Sequence, residues 1–376
     1  MFVFDVVIVG TGPAGGMAAY ELASKGYKVA VLEKETLPRY KTCGGGLVWR
    51  GRQQLPFDIS AIVEKQYHEV AIYFEGTDSP LLSKRDCPII SMVMREDFDY
   101  FLVQKAMNVG AVLLENHTLK QLEFAENILL HTSQGLLQAK YIIAADGALS
   151  LTAKMAGFAD SRRMMPALEF EVAVGEDDYK RLSGESRFDV DAVPQGYAWC
   201  FPKKNHLSIG VITYEKTKIN LREYYKAYLQ KLGISIVLQE SAHGFQVPTG
   251  GRDGGYEKNR VLLAGDAAGF ADPLTAEGIS NALLSGKLAG RTVAAHFENP
   301  EKVAKAYHQT LSQNLLPELR LFGIAASFFY KQKFLRNLIL KREGQRICEG
   351  LTDVFIGKRS YSDDLTTKLL KKISFG

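Results

Sequence analysis

Two glycine-rich turns carry the residues best suited to chemistry. The first follows a β-branched run from Phe4 to Val9 and reads Gly10-Thr11-Gly12-Pro13-Ala14-Gly15; a helical pattern from Met17 to Lys25 and a strand from Lys28 to Glu33 come next. In such a unit Gly10 permits the tight turn, Gly12 lets the backbone approach a pyrophosphate, Gly15 allows close helix packing, and Glu33 can hold ribose hydroxyls. The pattern predicts a site for the ADP half of a dinucleotide. It leaves NAD and FAD open, because both place ADP alike.

The second turn makes the choice. Arg260 to Ala264 reads as a buried strand ending in Gly265-Asp266, followed by small residues through Pro273 and then Gly278-Ile279 opening a helix. A carboxylate at a strand end can bond a sugar or ribityl hydroxyl, and a helix N-terminus aimed at an electron-rich ring stabilises negative charge on it. Both needs meet in FAD.

Composition narrows the rest. The 376 residues are 46% hydrophobic and 23% charged, ordinary for a globular chain of about two domains. A net charge of +4 without a phosphate-tracking basic run argues against nucleic-acid binding but permits anionic ligands. The apolar start lacks a basic leader, contains Asp5 and runs straight into the glycine turn, so it reads as a strand and not a signal peptide. The longest apolar helix candidate, Leu321 to Tyr330, falls short of the roughly 18 residues of a membrane span. Cys43, Cys87, Cys200 and Cys348 show neither paired metal-ligand spacing nor disulfide density, which suggests reduced thiols in a cytoplasmic protein and no metal site.

Five segments then occur in a telling order: the N-terminal fingerprint, Pro38 to Leu47 with Cys43-Gly44-Gly45, Met94-Arg95 to Asp99, Ala145-Asp146-Gly147 to Ser150, and Gly265-Asp266 to Pro273. This order resembles FAD-dependent oxidoreductases of the aromatic-hydroxylase superfamily. Within it, Cys43-Gly44-Gly45 and Tyr197-Ala198-Trp199-Cys200-Phe201-Pro202 are similar to the geranylgeranyl reductase family, whose members saturate isoprenoid double bonds. The resemblance covers roughly residues 1–300. It implies a Rossmann-like α/β FAD-binding domain of the hydroxylase type, an inserted antiparallel β-sheet substrate domain and a C-terminal helical region. It places Pro13 and Ala14 at the pyrophosphate, Glu33 with Lys34 at the ribose, Arg95 on the cofactor and Leu119 beside adenine. Asp146-Gly147 would form a second fingerprint, Gly265-Asp266-Ala267 and Pro273 would line the ribityl-phosphate end, and Gly278 and Ile279 would approach the ring. One departure stands out: where the family commonly has Gly-x-Gly, this chain has Gly210-Val211-Ile212.

Motifs for one cofactor lie far apart, so the FAD domain is expected to be discontinuous, over 1–65, 95–160 and 255–299. The substrate sheet would take 66–94 and 161–254, and helices 300–376. Tyr197, Trp199 and Phe201 fall on one strand face, either as plain core or as a flat wall for an isoprenoid chain, with Pro202 at its end. In Lys331 to Arg342, the stripe Phe334, Leu335, Leu338, Ile339 opposes Lys331, Arg336, Lys341 and Arg342. That helix can pack on the protein with its basic face solvated or dock on an anionic membrane, which would make the protein peripheral.

Reducing an isolated alkene needs an acid, because no neighbouring carbonyl holds the charge left by hydride addition. The resemblance puts Cys43 beside the flavin, although a thiol is a weak acid for that task. A single dinucleotide fingerprint implies an external reductant, NAD(P)H or a protein donor such as ferredoxin, and an isoprenoid or lipid substrate. A flavin monooxygenase or halogenase shares most cofactor motifs, but halogenases carry Trp-x-Trp-x-Ile-Pro where this chain has Tyr197 and Phe201. A non-catalytic, FAD-stabilised isoprenoid-binding protein is the third reading.

Overall fold

Runs without apolar and polar alternation, such as Val6 to Ile8 and Val29 to Leu32, suit strands covered on both faces, the setting of a parallel sheet. The computed structural model, which describes residues 2–75, 79–215 and 219–359, places both runs in one. Across that sheet Val112–Leu114, Val29–Leu32, Phe2–Val9, Gly135–Ala144 and Val261–Leu263 pair in parallel. Counted along the chain the order is 3-2-1-4-5, a doubly wound arrangement whose direction reverses beside Phe2–Val9. Glu257–Lys258 closes one edge antiparallel, and Leu119–Phe124 and Ile128–Thr132 continue as a meander from Gly135–Ala144.

Small residues set how closely helices approach. The Pro13–Ala23 helix packs against Arg95–Met107 and Ile279–His296. A Cβ on Gly16 would come within 2.8 Å of the Leu102 Cβ, and one on Gly286 within 2.1 Å of the Ala14 carbonyl oxygen.

The chain forms two compact units, residues 1–41, 95–164 and 248–320 in one and 42–94, 165–247 and 321–376 in the other. These differ from the expected boundaries. Residues 42–65 join the second unit because Gly46–Val48 and Val63–Tyr67 flank Ile90–Val93 in a three-stranded antiparallel sheet. Residues 300–320 join the first, where the Tyr307 hydroxyl donates to the Leu263 carbonyl at 2.7 Å. The helices from 321 onward belong to the second unit and not to a region of their own, and the expected helical end at 360–376 lies outside the described residues.

In the second unit's seven-stranded main sheet Arg163–Val174, Leu207–Thr213, Gly196–Pro202 and Ser186–Val190 pair antiparallel in turn, Glu69–Tyr73 joins Ser186–Val190 in parallel, and Leu81–Lys84 pairs antiparallel with Glu69–Tyr73. On one face Phe170, Val172, Ala198, Cys200, Ile209 and Val211 pack beneath the Leu221–Lys231 helix, with the Phe170 and Tyr225 rings stacked at 3.5 Å. The Lys333–Phe355 helix packs on Leu81–Lys84, with Arg85 and Asp353 paired at 2.8 Å. Its buried side is mostly apolar, with Leu340, Cys348, Val354 and Phe355, but near its start the expected stripe and basic face are exchanged. Arg336 is 2% exposed and donates to Asp191 at 2.6 Å, whereas Phe334 is 86% exposed and Leu335 and Leu338 also face outward. Turning the helix to bury that stripe would take Arg336 away from Asp191 and leave the carboxylate without this partner.

Gly286→Ala should lower the unfolding free energy by about 1–3 kcal/mol, since its methyl group meets a backbone carbonyl. Gly323→Ala, at a helical position with open space, should raise it by about 0.5–1 kcal/mol. Urea midpoints of the two variants check both signs.

Candidate functional site

In a doubly wound sheet, ligands bind beyond the carboxyl ends of the strands where the order reverses. Four of the parallel strands end there in the expected residues: Val9 leads to Gly10, Leu32 to Glu33, Ala144 to Asp146-Gly147, and Leu263 to Gly265-Asp266. Gly10, at φ +104°, sits so close to the neighbouring loop that a Cβ would lie 2.4 Å from the Ala145 carbonyl oxygen. A Cβ on Gly15 would strike the Gly10 carbonyl at 1.9 Å, so this turn admits glycine at both positions.

Beyond the turn, Gly12 caps the Pro13–Ala23 helix without a side-chain hydrogen bond, and Pro13 supplies a first helical residue that lacks an N–H to satisfy. A Cβ built on Gly12 meets only an Arg95 guanidinium nitrogen, 3.9 Å away. An open glycine face, an uncapped helix start and a nearby guanidinium suit a pyrophosphate.

Glu33 is 4% exposed and accepts from Arg39 Nε at 3.0 Å, from the Glu35 N–H at 3.2 Å and from the Thr11 hydroxyl. Burial raises its pKa, but the Arg39 charge and these hydrogen bonds outweigh that and hold the carboxyl below its ordinary range. Arg39 also reaches buried Asp99 at 3.2 Å, and Arg95 grips the same carboxylate with two bonds of 2.9 and 2.8 Å. Two carboxylates and two guanidiniums thus brace each other beside the glycine turn.

At the other end, a Cβ on Gly265 would come within 3.1 Å of the Ala14 Cβ and 3.3 Å of the Ala282 Cβ. The Gly265 N–H donates to Ser285 Oγ at 2.9 Å. A Cβ on Gly278, the cap of the Ile279–His296 helix, would lie 3.6 Å from Asp266 Oδ1, so carboxylate and helix start adjoin. Burial raises the Asp266 pKa against the pull of Lys41, Arg95 and Arg162. In the first turn of that helix the Ser280 hydroxyl is buried without a hydrogen-bond partner among the described residues. Ala267, Pro273 and Ile279 are buried around this loop. The orphaned hydroxyl, the open Gly12 face and the cationic rim fit FAD.

The remaining expected residues sit differently. Lys34 is exposed and lies 3.8 Å from Glu35. Leu119 is buried at the start of its strand. The Asp146 carboxylate accepts from Ser150, from the Thr152 hydroxyl at 2.8 Å and from the Thr152 N–H at 3.0 Å, capping a short helix, while Gly147 takes φ +82° with open space beside it.

The second unit gathers the other expected residues by itself. Strand alternation turns Tyr197, Trp199 and Phe201 to the face opposite the Phe170 core, where all three are buried and the half-buried Phe188 packs on Tyr197 and Phe201. Trp199 stands opposite Gly210, and a Cβ there would be 2.0 Å from the indole, so this glycine makes room for that ring. A Cβ on Gly44 would touch Trp199 Nε1 at 3.1 Å and the Phe201 ring at 3.2 Å, which seats the Cys43-Gly44-Gly45 loop on the aromatic stripe. Gly45, at φ +76°, abuts the Val93 carbonyl, and its N–H donates to Cys43 Sγ at 3.4 Å. The Pro202 carbonyl accepts from the Tyr67 hydroxyl at 2.8 Å. Glu169 and Glu171 also occupy this face. A separate groove of about 410 Å³, lined by Phe170, Arg222, Tyr225 and Val237 among others, opens on the opposite face, away from every one of these residues.

The chain matches the FAD binding domain family over residues 3–312 and belongs to it. It is an FAD-dependent oxidoreductase with geranylgeranyl reductases among its relatives. Digeranylgeranylglycerophospholipid reductase 1 of Methanopyrus kandleri is 29% identical, over 80% of this chain and 83% of that protein. Chloroplastic geranylgeranyl diphosphate reductase of Arabidopsis thaliana is 26% identical, over 94% and 80%. The solved structure of a geranylgeranyl bacteriochlorophyll reductase-like protein from Thermoplasma acidophilum shares the fold, with a TM-score of 0.77 at 20% identity over 95% of this chain and 92% of that one.

Sequence reasoning passed over Thr11, Arg39 and Asp99, whose roles need three separate segments brought together. Arg39→Met should destabilise the protein by about 3 kcal/mol at neutral pH, because it leaves Glu33 buried beside fewer partners. The Glu33 pKa is depressed in the fold, so its contribution is present above the ordinary value of 4.5 and lost as pH falls through the folded value. The gap between variant and wild type, read from urea unfolding, should therefore narrow in acid.

Proposed function

We propose that the protein reduces isolated carbon–carbon double bonds of an isoprenoid chain, free or carried on a lipid. The observation that carries this reading is the face formed by Tyr197, Trp199, Phe201 and Phe188 with the Cys43–Gly45 loop seated on it: a broad, buried aromatic surface suits a long apolar chain without polar handles. The kinship with geranylgeranyl reductases supports the same substrate class.

FAD, when bound, supplies hydride to one alkene carbon. The glycine turn and Arg95 hold its pyrophosphate, Glu33 its ribose, and Asp266 with the start of the Ile279–His296 helix the opposite end. The aromatic face positions the alkene and excludes water, and Cys43 hands on the proton that the second carbon requires. An outside donor, NAD(P)H or a ferredoxin-type protein, restores the electrons. With anaerobic dithionite-reduced protein, geranylgeranyl diphosphate or a digeranylgeranyl lipid should reoxidise the flavin and emerge heavier by two hydrogens per bond in mass spectra. Cys43→Ala should keep FAD and lose about tenfold or more of this rate. Full turnover in that variant would remove the thiol from the mechanism, and oxygen-dependent hydroxylation in place of saturation would replace the reading.

The substrate class favours a membrane surface, and the second unit offers an apolar patch. Ile324 is 71% exposed, Phe328, Phe334, Leu335 and Leu338 are exposed too, and so are Lys331, Lys341 and Arg342 on the same helices. Among the described residues no helix is long and apolar enough to cross a membrane, so the patch would insert shallowly. Each large apolar side chain buried is worth roughly 1.5–3 kcal/mol, so Phe334→Ser should weaken cosedimentation with phosphatidylglycerol vesicles by about tenfold. Unchanged binding would exclude the patch.

A further inference from the structure

On the aromatic face of the second unit the described side chains include two acids. Glu169 and Glu171 stand two residues apart on Arg163–Val174 and so point the same way. Glu169 is 1% exposed. Its Oε2 accepts from the Cys43 N–H at 3.1 Å and its Oε1 from Ser208 Oγ at 3.0 Å, while Ser208 in turn accepts from Trp199 Nε1 at 3.3 Å. Glu171 is bonded by the buried ammonium of Lys203, and His206 Nε2 lies 2.9 Å from its other oxygen, Oε2.

Glu169 is buried, Glu171 is half-buried beside it, and Lys203 bonds Glu171. Of two acids this close, the more deeply buried one holds its proton longer. Burial first, and the Glu171 charge second, push the Glu169 carboxyl up to about 7, against Lys203 and Ser208, which favour ionisation. Glu171 is driven the other way, since His206 and Lys203 more than offset its burial. His206 is the partly exposed member and can exchange protons with solvent.

We propose that Glu169 and Glu171 form a proton-holding pair for this reaction, Glu169 storing the proton behind the Cys43 loop and His206 refilling it. The inference rests on the alkene-reductase reading. One alkene carbon takes hydride, two electrons and a proton together, and the other forms its C–H bond with a proton released from the Cys43 thiol. Glu169 reprotonates the sulfur and becomes a carboxylate, and a proton entering through His206 and Glu171 restores it. Saturation consumes one hydride and one proton, and the outside donor supplies the two electrons. Glu169 acts through Cys43 and is a positioning residue.

The test uses FAD-loaded protein, reduced with dithionite and mixed anaerobically with geranylgeranyl diphosphate across the neutral range. The wild-type rate should fall as pH rises through about 7. Glu169→Gln should bind FAD and accept dithionite electrons as before, slow reoxidation about tenfold or more and lose that pH limb. Glu171→Gln, which removes the like charge, should move the limb to lower pH. Without any substrate, infrared titration should show a protonated carboxyl C=O band that vanishes through about pH 7 in the wild type and is missing in Glu169→Gln. A pH limb retained by Glu169→Gln, or no carboxyl titrating near neutrality in the wild type, overturns the proposal. Should Glu169→Gln lose FAD, the wild-type band and its displacement in Glu171→Gln decide. If the band titrates as expected but no polyprenyl alkene reoxidises the wild-type flavin, the alkene-reductase reading fails while the proton-holding pair stands.

Discussion

Where the Phe2–Val9 and Gly135–Ala144 strands run side by side, the chain leaves one to one face of the sheet and the other in the opposite direction, and the gap that opens between them is too narrow for a side chain. A Cβ at Gly10 would stand 2.4 Å from the Ala145 carbonyl oxygen. Everything in the nucleotide-binding half depends on that closeness. It lets the Pro13–Ala23 helix begin right at the strand end with its N-terminus open, and it brings Arg95 and Glu33 within reach of one short turn. The Ile279–His296 helix exploits the same economy of size, since Gly286 rides on the Ala14 carbonyl and Gly265 nests between Ala14 and Ala282. Bulk anywhere along this seam would move the starts of the Pro13–Ala23 and Ile279–His296 helices.

The second unit obeys a different rule, the two-residue period of a strand. Phe170, Val172, Cys200 and Ile209 turn to one face and make an ordinary apolar core; Glu169, Glu171, Trp199, Phe201 and Ser208 turn to the other. The departure at Gly210-Val211-Ile212 has its explanation here. Gly210 lies directly across from Trp199 and yields its space to the indole, whereas Ile212 lies across from Tyr197, where no such overlap arises.

The glycine turns were legible in the sequence because steric demands at Gly10, Gly15 and Gly265 act between near neighbours and fix the residue type. The strand face shared by Tyr197, Trp199 and Phe201 was legible too, because alternation is local. What stayed hidden was set by distant partners. Nothing in Leu168-Glu169-Phe170-Glu171-Val172 itself marks the acids, whose partners Cys43, Lys203, His206 and Ser208 come from other segments. Arg39 looked like a loop residue until the fold set it between Glu33 and Asp99. The stripe of Phe334, Leu335 and Leu338 left packing and membrane docking open, and it lies outward while Arg336 is buried against Asp191, far away in the chain.

The alternation in Arg163–Val174 also constrains how this sequence can change. Neighbouring residues there serve opposite faces, acids on one and Leu168, Phe170 and Val172 on the other, so a strand shortened or lengthened by one residue would exchange them: carboxylates would enter the Phe170–Tyr225 stack, and apolar side chains would replace the acids behind Cys43. Insertions and deletions in this strand are tolerable only in pairs. The segment therefore behaves as a reading frame in three dimensions, and its length is as much a functional property as the identity of its residues.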